Sequence, residues 1–170
     1  MRWVQITKRL TLAATIALLS SPSGNLVAQE MRPALTSSSA KMILRGCEEF
    51  AEKKHLRVVI AVVDQGKNLV TFLRMDGAVL GAADIALWKA SSSALFGAST
   101  KEYENLAKKN PLLGLAPQIA VLEGGEPIYT LNGFLIGGVG VSGAAAADDA
   151  ACARAGIVAA KLTHVVADDD

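Results

Sequence analysis

The sequence predicts a single α+β domain in which helices cover an antiparallel sheet. Three patterns support this fold class. A polar turn at residues 64–68, DQGKN, separates two short β-branched runs, which favours a hairpin. The Asn-Gly pair at residues 132–133 is the strongest hairpin signal in the chain, and a glycine-rich run follows it at residues 134–141. Segments with helical spacing of apolar residues precede, separate and follow these runs.

Each element has its own local signal. The first helix is expected at residues 37–54, because Thr36 and the serines after it are good N-cap residues and Ala40, Ile43 and Cys47 recur at helical spacing. The other helices are expected at residues 84–96, from a cap at Thr100 to a stop at Asn110-Pro111, and at residues 145–162. The strands are expected at residues 58–63, 69–75, 118–122, 127–130 and 134–141. The order α-β-β-α-α-β-β-β-α therefore predicts five strands.

The N-terminus has the layout of a secretory signal peptide. A basic segment with Arg2, Lys8 and Arg9 precedes an apolar run at residues 10–19 and a stretch of small or polar residues that ends at Ala28. The apolar run is about half of the roughly 20 residues that a membrane-spanning helix needs. We therefore expect cleavage after Ala28 and a periplasmic or secreted protein without a stable membrane anchor. The alternative is an uncleaved anchor.

The expected organisation is a signal peptide at residues 1–28, an N-terminal extension at 29–36, one domain at 37–165 and a disordered acidic tail at 166–170. Cleavage would remove three basic residues and no acidic ones, leaving 14 basic residues against 16 acidic ones and a net charge of −2. A chain without clustered Lys and Arg is not expected to bind nucleic acid or an anionic membrane surface.

A dinucleotide-type motif, G-x-G-x-x-G, occurs at Gly138, Gly140 and Gly143. A true motif of this kind opens a βαβ unit and is followed by an acidic residue about 20 positions later. Here the chain is nearly finished at Thr163, so no second parallel strand can follow. Carboxylates at residues 148–149 would also repel a pyrophosphate at the start of the next helix. We expect neither a nicotinamide nor a flavin cofactor, and interpret the glycines as a site of close backbone approach.

Catalytic and metal-binding patterns are sparse. The two histidines, His55 and His164, have no His or Cys neighbour at metal spacing, so a zinc site is not expected. Ser142 is a candidate nucleophile, but a turn residue ahead of the last helix is the simpler interpretation. Cys47 and Cys152 can form a disulfide in an oxidising compartment, or remain two buried thiols that never meet.

Four charged residues form the most suggestive group. Asp64 ends the first predicted strand, and Arg74 with Asp76 ends the second. Lys89 stands in an otherwise alanine-rich helix. Charges at strand ends beside glycine loops can line a small pocket. The alternative is an ion-pair network that orients loops.

A series of short motifs, VVDQGKNLV, RMDGA, IALWKA, EGGEPIY and IGGVGVSG, resembles the GlcG/HbpS-like family, also called the haem-degrading domain family. The resemblance covers about residues 35–163. It implies a profilin-like α-β-α sandwich with a five-stranded antiparallel sheet, assembly into homo-oligomers, and non-covalent binding of haem or a related tetrapyrrole, as in some relatives. The family pattern carries over at Asp64, Gly66, Arg74, Asp76, Lys89, Gly124, Gly125, Pro127, Gly138, Gly140, Ser142, Gly143 and Asp149.

Among these, the resemblance implies a ligand site at Asp64, Arg74, Asp76, Lys89, Gly124, Gly125, Pro127, Ser142 and Gly143. Two loops depart from the family pattern. Lys67 replaces the second glycine of the usual pair after the first strand, and alanines fill residues 144–147. These departures put an inherited ligand preference in doubt.

A haem protein needs an iron ligand, and no CxxCH motif is present, so any haem would be held non-covalently. Residues with suitable side chains are His55, His164, Met75, Tyr103 and Tyr129. His55 is the first choice, although a solvated cation at a helix end is the alternative role.

Two other functions stay open. One is an enzyme acting on a small carboxylate or aldehyde, in which Arg74 or Lys89 fixes the anion and Asp76 or Asp64 is the general base. The other is an accessory protein without catalysis.

Overall fold

The computed structural model describes residues 31–166. In that range the elements are α1 (Ser37–Lys53), β1 (Val59–Asp64), β2 (Leu69–Arg74), α2 (Ala82–Phe96), α3 (Thr100–Lys109), a 3₁₀ helix (Pro111–Leu115), β3 (Gly125–Tyr129), β4 (Leu135–Ser142) and α4 (Ala146–Ala159). The predicted signal peptide and nearly all of the predicted acidic tail lie outside the described residues. Within residues 31–166, no helix is long and apolar enough to cross a membrane.

The described chain forms one antiparallel sheet of four strands in the order β2-β1-β4-β3. The predicted mixed α+β class is confirmed, but the prediction of five strands is wrong. Residues 118–122 form no strand, because Gln118 has a left-handed backbone (φ 69°) and the N–H of Ala120 donates to Ser92 Oγ at 3.0 Å. That N–H is therefore satisfied by a side chain of α2 and not by a neighbouring strand.

Helices pack on both faces of the sheet, as the alternation along residues 58–63 shows. Val58, Ile60 and Val62 belong to a core cluster with α1 and α4. Val59, Ala61 and Val63 belong to a second cluster with the alanines of α2. Because successive strand residues point to opposite faces, α2 lies on one side of the sheet and the α1–α4 pair on the other. Residues 32–166 thus form a three-layer arrangement around two cores.

Two glycines of β4 allow α2 to approach the sheet closely. A Cβ on Gly138 would overlap the carbonyl oxygen of Ala90, and a Cβ on Gly140 would overlap that of Ala86. The G-x-G-x-x-G match is explained by this packing of backbone on backbone, as the sequence interpretation expected.

The first and last helices are joined covalently. The Sγ atoms of Cys47 and Cys152 lie 2.04 Å apart, and the two cysteines are separated by 105 positions in the sequence. Gly46 also brings its backbone against Gly156 and Ala159 of α4, where a larger side chain would clash. The disulfide and this close approach fix the α1–α4 pair.

Side chains cap the starts of α1 and α3. Thr36 caps α1, and its Oγ1 accepts from the N–H of Ser39 at 3.1 Å. Thr100, predicted as the cap of α3, is its first residue, and Ser99 is the cap. The reason is tertiary: Thr100 Oγ1 is buried and accepts from the N–H of Gly125 at 2.8 Å.

Candidate functional site

Lys89 and Asp149 form a buried ion pair. Lys89 Nζ lies 3.2 Å from Asp149 Oδ2 and donates to the carbonyl of Val141 at 2.9 Å. Both side chains are no more than 4% exposed. Burial raises the pKa of Asp149, and the Lys89 ammonium offsets part of that rise. The enzyme hypothesis needs the Lys89 ammonium to bind a substrate anion, but this ammonium is already paired with Asp149.

The glycines of the EGGEPIY motif make room for this pair. Gly124 has φ 123°, and a Cβ there would lie 2.7 Å from Lys89 Nζ. Gly125 packs under α2, where its Cβ would meet the Lys89 carbonyl and Thr100. The other predicted ligand residues of these strands, Pro127 and Ser142, are buried within β3 and β4, and Gly143 (φ 129°) turns the chain toward α4.

The structure does not bring Asp64 together with Arg74 and Asp76. In the β1–β2 register, Val59 pairs with Arg74, whereas Asp64 lies at the hairpin end. Five residues of strand separate those positions, about 17 Å. The prediction that these strand ends share one pocket is wrong, because the C-terminal ends of adjacent antiparallel strands lie at opposite ends of the two strands.

Asp64 instead stabilises the β1–β2 turn. Its Oδ1 accepts from the N–H of Asn68 at 2.8 Å, and Asn68 Nδ2 donates to both carboxylate oxygens. Burial raises the pKa of Asp64, but the hydrogen bonds from Asn68 and Gly66 outweigh that effect and leave the pKa below its usual value. This is the loop-orienting role that the sequence left open.

Arg74 and Asp76 line a polar pocket of about 360 Å³ beside α1. Its other walls are Glu48, Glu52, Arg57, Leu73 and Met75. Three carboxylates and two guanidiniums surround this space, so the pocket has no strong electrostatic preference for an anion or a cation.

A groove of about 620 Å³ with mainly apolar walls lies between α1 and α4. We call it the α1–α4 groove; it is lined by Gly46, Glu49, Phe50, Lys53, Arg154, Ala155, Val158, Ala159 and His164. The floor is made of small or apolar side chains, and Lys53, Arg154 and Glu49 supply charges. Of these residues, only His164 was a sequence candidate. The rest were missed because the groove exists only once α1 and α4 are paired.

His164 reaches the groove because the chain turns back after α4. Thr163 pairs with Tyr129 of β3 through two backbone hydrogen bonds of 2.8 and 3.0 Å, which fixes the residue that follows. Burial lowers the pKa of His164, and the positive charge of Arg154 lowers it further. The neutral imidazole, which is the form that binds a metal, is therefore favoured.

Behind the groove wall, Arg154 is paired with a buried carboxylate. Its Nη1 lies 2.7 Å from Oε1 of Glu126, a β3 residue whose side chain is 3% exposed. Burial raises the pKa of Glu126 to about 7, against the opposing effect of Arg154. Since the Arg154 side chain is still 38% exposed, one edge of its guanidinium is within reach of the groove.

The other iron-ligand candidates lie elsewhere. His55 is exposed, has φ 57° as the first residue beyond the cap of α1, and is not part of the groove lining. Met75 lines the polar pocket. Tyr129 donates its hydroxyl to the Gly97 carbonyl at 2.7 Å, and Tyr103 packs edge-on against Phe96. Burial raises the pKa of both tyrosines, which keeps them as neutral phenols.

Comparison with known proteins gives consistent results. The family model described as "Haem degrading protein HbpS-like" matches residues 35–158. Protein GlcG of Escherichia coli K12 is 38% identical over 109 residues, 64% of this chain and 81% of that protein.

Two solved structures share the fold. A crystal structure of HbpS has a TM-score of 0.71 and 33% identity, covering 76% of this chain and 92% of that one. A structure described as a PduOC:haem complex has a TM-score of 0.71 at 24% identity, covering 78% of this chain and 99% of that one. The second likeness is one of fold alone.

Proposed function

Because this chain belongs to the HbpS-like family, we propose that it binds haem or a related tetrapyrrole non-covalently in the α1–α4 groove. The observation that carries the proposal is His164, an imidazole held neutral beside the groove's apolar floor. A fold relative is described in complex with haem, which supports this ligand class.

The groove fits the chemistry of a tetrapyrrole. Its volume of about 620 Å³ lies within the usual range for small-molecule sites, about 300–1,000 Å³. Phe50, Val158 and Ala155 offer apolar contact to the macrocycle. Lys53 and Arg154 stand on opposite helices and can each pair with a propionate.

His164 is the residue we assign to the iron. Proximal histidine ligation is common in haem proteins, and it requires an unprotonated ring nitrogen. Bound haem would supply a redox-active iron, and the chain's part is to bind and orient it. His55, the first choice from sequence, is set aside because it lies outside the groove lining.

The two histidines provide a matched test, since the chain contains only these two. Haem is titrated into the parent protein and into the His164→Ala and His55→Ala variants, and the Soret band is followed. We expect a saturable Soret shift in the parent and in His55→Ala, and a changed band position with at least about tenfold weaker binding in His164→Ala. Absence of a shift in the parent would refute haem binding, and an unchanged His164→Ala would refute the assigned ligand.

Export is a separate part of the proposal, supported by the basic and apolar layout of residues 2–28. The mass of the protein recovered outside the cytoplasm tests it. The expected product begins at Gln29. A protein that keeps Met1 and remains in the cytoplasm would contradict it.

A further inference from the structure

A second cavity, of about 380 Å³, lies on the face of α2 that points away from the sheet. It is lined by Asp84, Leu87, Trp88 and Ser91 of α2, with Lys67 and Gln118 from two loops. The four helix residues recur at helical spacing, opposite the alanines that face the sheet. From Asp84 to Ser91 the stripe extends about 10 Å along the helix.

The two loop residues have unusual backbones. Within residues 31–166, four non-glycine residues have positive φ: His55, Lys67, Gln118 and Lys161. His55 and Lys161 directly follow the caps of α1 and α4, where a left-handed residue commonly ends a helix. Lys67 (φ 66°) and Gln118 (φ 69°) end no helix.

Lys67 occupies a position where glycine is favoured. Its N–H donates to the Asp64 carbonyl at 3.0 Å, so it closes the turn in the left-handed conformation that follows a type I turn in hairpins. A residue with a Cβ is strained there. Its side chain crosses to the other strained loop residue, and Lys67 Nζ donates to Gln118 Oε1. With this backbone conformation, the ammonium group of Lys67 lies at the edge of the cavity.

Two side chains of opposite charge, Lys67 and Asp84, line this cavity. In the described part of the chain, neither Lys67 nor Asp84 forms an ion pair. Trp88 is partly buried and offers a ring surface, which favours stacking with a planar ligand. Lys67 can pair with a carboxylate. Asp84, one helical turn before Trp88, can accept a hydrogen bond from a hydroxyl group on the same ligand.

We propose that this cavity is a binding site for a small aromatic carboxylate that also bears a hydroxyl group, distinct from the α1–α4 groove. Lys67 pairs with the carboxylate, Trp88 stacks on the ring, and Asp84 accepts from the hydroxyl. The proposal does not depend on tetrapyrrole binding, because no residue lines both cavities.

Trp88 reports directly on this site. The chain has two tryptophans, Trp3 and Trp88, so Trp3→Phe leaves a single indole N–H signal in a proton–nitrogen NMR spectrum. The full chain carrying Trp3→Phe is titrated with para-hydroxybenzoate and, separately, with its neutral analogue para-hydroxybenzamide. We expect a saturable shift of the indole signal with the acid, and about tenfold weaker binding of the amide.

Lys67→Gly removes the ammonium and gives the turn its preferred residue, and Lys161→Gly is its matched control. Both variants replace a lysine in a left-handed backbone conformation with glycine, which adopts that conformation without strain, but Lys161 does not line the cavity. We expect both to fold with thermal midpoints at or above that of the parent. Lys67→Gly should bind the acid about tenfold more weakly, with Lys161→Gly unchanged. The proposal is overturned if the acid gives no saturable shift, if the amide binds as tightly as the acid, or if Lys67→Gly binds like the parent.

Discussion

Lys89 of α2 and Asp149 of α4 form an ion pair that joins helices on opposite faces of the sheet, with 3.2 Å between Nζ and Oδ2. Each partner has a further bond: Lys89 Nζ donates to the Val141 carbonyl, and Asp149 Oδ1 accepts from the N–H of Ala144 at 3.1 Å. Gly124 completes the site by leaving space above the ammonium. Lys89, the charged residue of the family pattern that stands in an alanine-rich helix, therefore links α2 to the helices on the other face of the sheet.

Removing one member of this pair should destabilise the fold strongly. Lys89→Met leaves the Asp149 carboxylate buried without its cation, which costs about 3–5 kcal/mol of the free energy of unfolding. The neighbouring residue Asp148 gives a matched control. It pairs with Lys54 at 2.8 Å, but those side chains are 35% and 50% exposed. Lys54→Met should cost no more than about 1 kcal/mol.

Urea denaturation of the parent and the two variants measures this difference. If Lys89→Met were as stable as Lys54→Met, the buried pair would not be a structural link, and a functional reason for Lys89 would have to be sought.

Side chains should not be tolerated on β4 where α2 crosses it. In Gly140→Ala the new Cβ would overlap the Ala86 carbonyl, so helix and sheet must separate, at a cost of at least about 2 kcal/mol. Gly81→Ala is the control, because no atom lies within 4 Å of a Cβ at that glycine. It should change the free energy of unfolding by less than about 1 kcal/mol. Thermal unfolding of both variants checks the prediction, and equal midpoints would contradict the close approach.

Glu126 should make stability depend on pH. Its folded-state pKa is raised from 4.5 to about 7, so the folded state holds the proton more tightly than the unfolded chain. The stabilisation of the folded state that comes from this raised pKa is fully present below about pH 4.5 and is lost as the pH rises through about 7. Its size is at most about 3 kcal/mol.

The comparison with Glu126→Gln isolates this effect. The lowered pKa of His164 acts in the opposite direction, since its contribution is lost as the pH falls, but it is common to both proteins. We expect the stability of the parent relative to Glu126→Gln to decrease between pH 4.5 and pH 7. A difference that stays constant over this range would show that Arg154 holds the carboxylate ionised throughout.

Local chemistry was enough to predict most elements of the fold. The turn that Asp64 and Asn68 stabilise, and the Asn-Gly pair at residues 132–133, place two hairpins without reference to distant residues. The α1 cap at Thr36 is equally local. Residues 118–122 were mistaken for a strand because their apolar character resembles one. The hydrogen bond from Ala120 to Ser92, 28 positions away, lies beyond any local pattern.

The candidate sites were less predictable for the same reason. The groove is formed by helices about 100 residues apart, and the face of α2 that carries Trp88 becomes a cavity only when two loops reach it. The sequence pattern groups Asp64 with Arg74 because each is the last residue of a strand. In a hairpin, however, the last residue of the second strand lies beside the first residue of the first strand, far from Asp64. The sequence interpretation of Gly138 and Gly140 as points of close backbone approach agrees with the structure, because glycine in a strand often marks such a site.

The bond between Cys47 and Cys152 also makes most of the domain a closed covalent ring. Every strand and the two intervening helices lie inside that ring. A protease that cuts once in an exposed loop between the two cysteines would therefore produce no separate fragments until a reductant opened the bridge. For a protein expected to work outside the cytoplasm, a single cut there would leave the two halves tethered and still able to re-form their shared cores.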